Sequence, residues 1–203
     1  MCGIIGIVGK EAVADRLVDG LKRMEYRGYD SAGVCTVLDG QLIRRRAEGK
    51  LGNLVKELGG NPAPGNIGIA HTRWATHGAP TTSNAHPHAT GEVALVHNGI
   101  IENFKPLRDA LTARGRTFES ETDTEVVAHL VSEQIEAGQS PTEAVKAVLP
   151  QLRGAFALAI AFRENPDFLI GARLGSPLVV GYGDGETYLG SDALALAPLT
   201  QKI

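Results

Sequence analysis

The sequence predicts an α+β fold: a layered sandwich with two antiparallel sheets inside and helices outside. Strand-like runs come first, helical runs follow and strands return, an order that suits pairing between antiparallel neighbours. Several of the strand runs are apolar at every position, as expected of sheets covered on both faces. No repeat, linker or low-complexity tract interrupts the 203 residues, so 1–203 reads as one domain.

Taken in order, Cys2–Val8 is an Ile- and Val-rich strand punctuated by glycine. Glu11–Met24 is an amphipathic helix with Val13, Leu17, Leu21 and Met24 on one stripe. Ala32–Leu38 and Gln41–Ala47 flank Asp39-Gly40, a strong hairpin signal. Ile67–Arg73 and Glu92–His97 are short strands, separated by a loop over Trp74–Thr90 that is rich in Thr, His, Pro and Gly. Asn103–Arg114 reads as a helix stopped by Gly115. Thr122-Asp123-Thr124-Glu125 has capping-box spacing ahead of a helix that Gly138 ends. Ser140-Pro141-Thr142-Glu143 opens the next helix, with Ser at N-cap, Pro at N1 and Glu at N3. Ala155–Phe162, Phe168–Ala172, Leu178–Tyr182 and Thr187–Leu189 are strands again. The chain stops at Ile203 with no polar tail, as expected of a piece of something longer.

Composition narrows the function classes. The chain is 43% hydrophobic with a net charge of −3 and interspersed signs, so neither nucleic acid nor an anionic membrane is expected as a partner. The longest apolar runs fall well short of the ~20 residues that cross a bilayer, and no signal peptide is legible. Two cysteines, Cys2 and Cys35, make no disulfide framework, and a reducing cytoplasm is the expected setting. Cys35 sits in an apolar run and reads as core. Six histidines invite a metal reading, but no His-Glu-x-x-His pattern occurs, and no metal is expected. Gly-rich phosphate loops are missing too, and no cofactor is expected.

The reactive candidates begin with Cys2. Removal of Met1, which a small second residue permits, would place a thiol and a free α-amine on one residue. An α-amine with an ordinary pKa of about 7.7–8.0 can take the thiol proton near neutral pH, so Cys2 could supply both nucleophile and general base. The bland alternative is that a cysteine is a small core hydrophobe. Arg73 emerges at a strand end, where it could fork onto a carboxylate or merely coat the surface beside Trp74. Asn98-Gly99 is ordinarily a tight turn. It is also an amide beside an exposed backbone N–H, the pair of donors an oxyanion hole requires. Asp123 could cap a helix or receive an ammonium group. Together these parts describe a site for an α-amino acid carrying a side-chain amide. Cys2 attacks the amide carbon, Asn98 and Gly99 hold the oxyanion, Arg73 grips the carboxylate and Asp123 the ammonium.

The stretches Cys2-Gly3-Ile4, Glu25–Gly33, His71–Gly78, Asn84–His88, His97–Asn103, Ser120–Glu125 and Gln151–Ala155 resemble, in one order along nearly the whole chain, the class II glutamine amidotransferases. These are N-terminal-nucleophile hydrolases, and the resemblance is strongest to members that pass ammonia to fructose 6-phosphate. It implies a four-layer αββα sandwich, L-glutamine as substrate and Cys2 as nucleophile, with Asn98 and Gly99 as the oxyanion pair. It further implies that Arg73, Thr76, His77 and Asp123 bind glutamine, that Trp74 gates ammonia, and that Arg27 orders the nucleophile. Fructose 6-phosphate would be met only through a following isomerase portion, which usually forms the family's dimer. Readings against this one are a hydrolase of other amides, a glutamine sensor without turnover, and a structural zinc module.

Overall fold

The computed structural model describes residues 2–203. The expected removal of Met1 therefore concerns a residue outside those described. The elements run β1 (Gly3–Val8), α1 (Ala14–Lys22), β2 (Ser31–Leu38), β3 (Gln41–Glu48), α2 (Leu51–Gly60), β4 (Ile67–Arg73), β5 (His88–Ala89), β6 (Val93–Ile101), α3 (Phe104–Ala113), α4 (Thr124–Glu136), α5 (Pro141–Val148), β7 (Gly154–Phe162), β8 (Asn165–Leu174), β9 (Val179–Tyr182), β10 (Thr187–Gly190) and α6 (Ala193–Leu196).

The strands form a six-stranded sheet in the order β3-β2-β4-β1-β10-β9 and a four-stranded sheet in the order β5-β6-β7-β8. Every pairing within them is antiparallel. Side-chain parity builds the layers, because alternate residues of a strand point to opposite faces. On β1, Ile5 and Ile7 join Leu17 and Leu21 of α1 and Leu51 and Leu54 of α2. On β7, Phe156, Leu158, Ile160 and Phe162 join Val127 and Val131 of α4 and Val145 of α5. The opposite parity meets between the sheets: Ile4, Cys35, Ile67 and Ile69 from one, Ala94, Val96, Ala157, Ala159 and Ala161 from the other. Alanines on the β7 side let the two sheets approach closely. The expected α+β sandwich, helix–sheet–sheet–helix, is what the chain forms.

Boundaries moved where local chemistry required it. Asp39 and Gly40 turn the β2–β3 hairpin with φ of 49° and 68°, the left-handed pair expected of a two-residue loop. The Ser140 hydroxyl accepts the Glu143 N–H at 3.4 Å, capping α5 as predicted. Ahead of α4, the Glu125 N–H reaches Thr122 Oγ1 at 3.4 Å. The Glu125 carboxylate, instead of closing the box on Thr122, accepts the N–H groups of Glu119 at 2.8 Å and Ser120 at 2.7 Å. One reading is corrected: Asn98-Gly99 is not a turn. Strand β6 runs through it to Ile101, pairing Asn98 with Ala157 and Gly99 with Phe156. Gly99 has φ of +116°, and a Cβ there would stand 2.0 Å from the Ala155 carbonyl oxygen. Only glycine lets β6 continue at that approach.

Candidate active site

Three strands change character along their length. β1 begins beside Cys2, and Gly3 pairs with Thr72 near the end of β4. β4 passes from Ile67 and Ile69 to His71 and Arg73, and β6 passes from Leu95 and Val96 to His97, Asn98 and Gly99. The antiparallel registers bring the start of β1 and the ends of β4 and β6 to one end of the sandwich, where α4 begins. Parity then sorts the side chains. His71 follows Ile67 and Ile69, and Asn98 follows Ala94 and Val96, so both point between the sheets. His97 follows Val93 and Leu95 and points to α4, where its Nδ1 meets Thr124 Oγ1 at 2.9 Å.

A cleft of about 250 Å³ opens there, lined by Cys2, Arg73, Trp74, Thr76, His77 and Asp123, with Gly99, His86, His97, Thr122 and Thr124. A roomier hollow of about 930 Å³ lies elsewhere, walled largely by Val8, Leu169, Leu178, Val180 and Leu189, and it offers no cysteine or histidine. Of the residues expected at the site, the structure brings seven to the cleft wall, and Asn98 and Arg27 reach it through Cys2.

Cys2 Sγ accepts the Trp74 N–H at 3.2 Å. Burial pushes the thiol above its ordinary value, while that hydrogen bond and the Arg73 charge pull the other way. The Cys2 carbonyl oxygen accepts Asn98 Nδ2–H at 3.1 Å and Arg27 Nη1–H at 3.2 Å. Arg27 in turn pairs with Asp192 at 2.7 Å, and Tyr26 donates to the same carboxylate at 2.5 Å. Ser191 completes this clamp: its Oγ accepts the Ile4 N–H at 2.9 Å and its N–H bonds the Ile4 carbonyl at 3.0 Å.

Arg73 is 3% exposed. Its guanidinium donates to the carbonyls of Ala79 at 3.1 Å and Gly78 at 3.3 Å, and also to that of His77. It thus folds the loop after β4 over itself while fixing a positive charge in the cleft wall. Burial lowers its pKa, with Asp30 opposing. Across the cleft, the buried Asp123 carboxylate accepts the Ile101 N–H at 2.8 Å and has His77 Nδ1 at 3.9 Å. One wall is cationic and the other anionic, the complement of a zwitterion. Trp74 is 55% exposed at the rim, where its ring covers Gly28 so closely that a Cβ would stand 2.8 Å from it. No group of three or more His, Cys, Asp or Glu side chains among the described residues is arranged to hold a metal ion.

Sequence reasoning missed Asp30, Ser191 and Asp192 as site residues. Asp30 Oδ2 accepts the Ala75 N–H at 2.5 Å and its own N–H bonds the Arg73 carbonyl at 2.7 Å, so it shapes the loop that carries Trp74. Asp30 lies inside a motif that drew notice. Ser191-Asp192 follows β10 outside any motif singled out in the sequence; Asp192 also caps α6, accepting the Leu194 N–H at 3.0 Å.

Comparison with known proteins follows the same lines. Residues 71–198 match the family described as glutamine amidotransferase domain. Over all 203 residues the chain is 73% identical to the glutamine–fructose-6-phosphate aminotransferase [isomerizing] of Zymomonas mobilis and 66% identical to that of Brucella abortus. It spans 33% of the length of each. Among solved structures, the glutamine phosphoribosylpyrophosphate amidotransferase of B. subtilis superposes with a TM-score of 0.81 at 28% identity, covering 97% of this chain and 43% of that one. A glutamine aminotransferase class-II domain protein from Silicibacter pomeroyi, at 16% identity and a TM-score of 0.62 over 93% of this chain and 88% of its own, shares the fold.

Proposed function

The chain belongs to the glutamine amidotransferase domain family, and from that premise we propose that it hydrolyses L-glutamine to glutamate and ammonia with Cys2 as nucleophile. The observation that carries this is the position of the thiol between fixed charges of opposite sign in a cleft that also holds Gly99, with Asn98 bonded to the nucleophile's own carbonyl. Arg73 takes the α-carboxylate of glutamine and Asp123 its α-ammonium, which fixes the side-chain amide over Cys2; Thr76 and His77 close that end. Removal of Met1 frees the Cys2 α-amine, which accepts the thiol proton. Sγ attacks the amide carbon, and the oxygen gains negative charge between Asn98 Nδ2–H and the Gly99 N–H. The ammonium on Cys2 protonates the leaving nitrogen, ammonia departs past Trp74, and water clears the thioester to give glutamate. Burial raises the thiol's pKa, so little thiolate exists until a base removes the proton, the part this reading gives to the α-amine.

The length relation supports a second layer of the proposal. In a longer parent, the ammonia goes to fructose 6-phosphate bound by an isomerase portion, in a dimeric enzyme of amino sugar synthesis. A cytoplasmic setting suits a free thiol, and no helix of the described residues is long and apolar enough to cross a membrane.

The test is glutamate release by the Met1-trimmed chain. Turnover is expected from L-glutamine, with loss on the order of 10³-fold or more in Cys2→Ser. Binding of glutamine with no turnover in the trimmed chain would instead identify a sensor.

A further inference from the structure

The orientation of the Asn98 side chain decides whether it presents a donor or an acceptor to a developing oxyanion. Its Nδ2 lies 3.1 Å from the Cys2 carbonyl oxygen, which can only accept, so that end must be the –NH₂. One of its hydrogens is spent there and the second remains for substrate. The other end, Oδ1, lies 2.9 Å from His71 Nε2. Oδ1 can only accept, so His71 must carry its proton on Nε2. His71 is fully buried between β1 and β2 and does not line the cleft. His86 Nδ1 lies over the His71 ring, 3.0 Å from its Nδ1 and 3.3 Å from its Nε2, with the ring centroids 4.2 Å apart and the planes tilted by 45°. Burial, only partly offset by the Asn98 bond, holds His71 to a pKa of about 3, so one proton per ring is the state at neutral pH.

We propose that His71, packed against the His86 ring, is the positioning residue that locks the Asn98 amide with its –NH₂ toward Cys2 and so makes Asn98 a donor in the oxyanion hole. The assignment rests on the glutaminase reading for its kinetic consequence, though not for its structure. The alternative rotamer of Asn98, turned by half a revolution, would set Oδ1 against the Cys2 carbonyl and against the oxyanion. His71 blocks that rotamer, because its Nε2–H would then face an –NH₂. The donors also run in one direction, from His71 to Asn98 to Cys2, so each bond polarises the next.

Two measurements test this. Nitrogen NMR of the trimmed chain should find His71 as the Nε2–H tautomer at neutral pH. A His71 that is charged, or protonated on Nδ1, overturns the proposal. In glutaminase assays, His71→Leu should lower kcat on the order of 10²-fold with KM for glutamine little changed. His71→Gln, whose amide nitrogen can stand near the lost Nε2–H, should recover most of the loss. An unchanged kcat in a folded His71→Leu chain, or a rise in KM alone, overturns the proposal. If His71→Leu does not fold, or if the unmutated chain releases no glutamate and the glutaminase reading itself fails, the tautomer measurement decides alone.

Discussion

The two ends of the sandwich are built from the same strands and obey different rules. At one end, β1, β4, β6 and β7 present Ile7, Ile67, Ile69, Leu95, Ile160 and Phe162, all buried and apolar. At the other, the same β4 and β6 present His71, Thr72, Arg73 and His97, equally buried and all polar. The dry end closes by filling space. The polar end closes because almost every buried donor finds an acceptor: Arg73 on loop carbonyls, Asn98 between His71 and Cys2, Asp123 on the Ile101 N–H. A buried hydrogen bond contributes about 0.5–1.5 kcal/mol when made and costs about 1–3 kcal/mol when one partner is lost. The dry end therefore supplies stability, and the polar end draws on it to hold a reactive geometry.

Acid should separate the two ends most sharply. Unfolded, a histidine titrates near 6.5; folded, His71 does so at about 3, and burial lowers His86, His88 and His97 as well. Below 6.5 the unfolded chain binds more protons than the folded one, so this stability is complete above 6.5 and is lost as the pH falls toward 3. Each such histidine removes about 1.4 kcal/mol per pH unit in that window, so two of them cost on the order of 5 kcal/mol by about pH 4.5. Glu125, which accepts the Glu119 and Ser120 N–H groups and the Ser120 hydroxyl and has His129 Nε2 at 3.5 Å, has its pKa lowered to about 2 against the effect of burial and keeps its charge throughout. Hydrogen exchange should show residues 71–73 losing protection at a higher pH than residues 67–69; simultaneous loss would abolish the distinction between the ends.

Next in size is Ile160→Ala. It deletes a fully buried side chain of the dry end and should cost about 3 kcal/mol in denaturant unfolding. Because it lies opposite Leu95 rather than Asn98, kcat per folded molecule should stay at the unmutated value. Ala157→Val makes the reverse trade. Ala157 pairs with Asn98 and faces the other sheet, so the added methyl groups should cost only about 1–2 kcal/mol. They press on the Asn98 side chain, however, and kcat should fall by more than the stability change would suggest. Equal kcat in these two variants would show that the site does not depend on the alanine face of β7.

The layers were legible in the sequence because apolar runs and their parity are local signals, and the polar end was legible because its side chains cluster in short motifs at strand ends. What was missed depended on distant partners. Helix α2 carries Gly52, Gly59 and Gly60, each with open space around it, and Lys50 at its N-cap makes no side-chain cap bond. It forms because Leu51 and Leu54 bury against β2 and because the Tyr29 hydroxyl accepts the Leu51 N–H at 2.9 Å. Tertiary contact there overrides poor propensity. The turn alternative for Asn98-Gly99 fails for the same reason: a dipeptide that turns a hairpin in isolation is held in the strand by nine consecutive pairings with β7. The Arg27–Asp192 pair joins residues 165 positions apart, and no local pattern announces it.

The place of β1 in its sheet also sets an order on the birth of the protein. It precedes every other strand described, yet it lies between β4 and β10, and β10 follows it by nearly the whole length of the described chain. Until the chain has grown past Gly190, one edge of β1 has no strand beside it, and neither Ser191 nor Asp192 exists to fasten Ile4 and Arg27. A ribosome carrying most of this sequence thus carries a cysteine with an incomplete cleft. The cleft is fastened only after β10 and Ser191-Asp192 have been joined, far along the chain from Cys2.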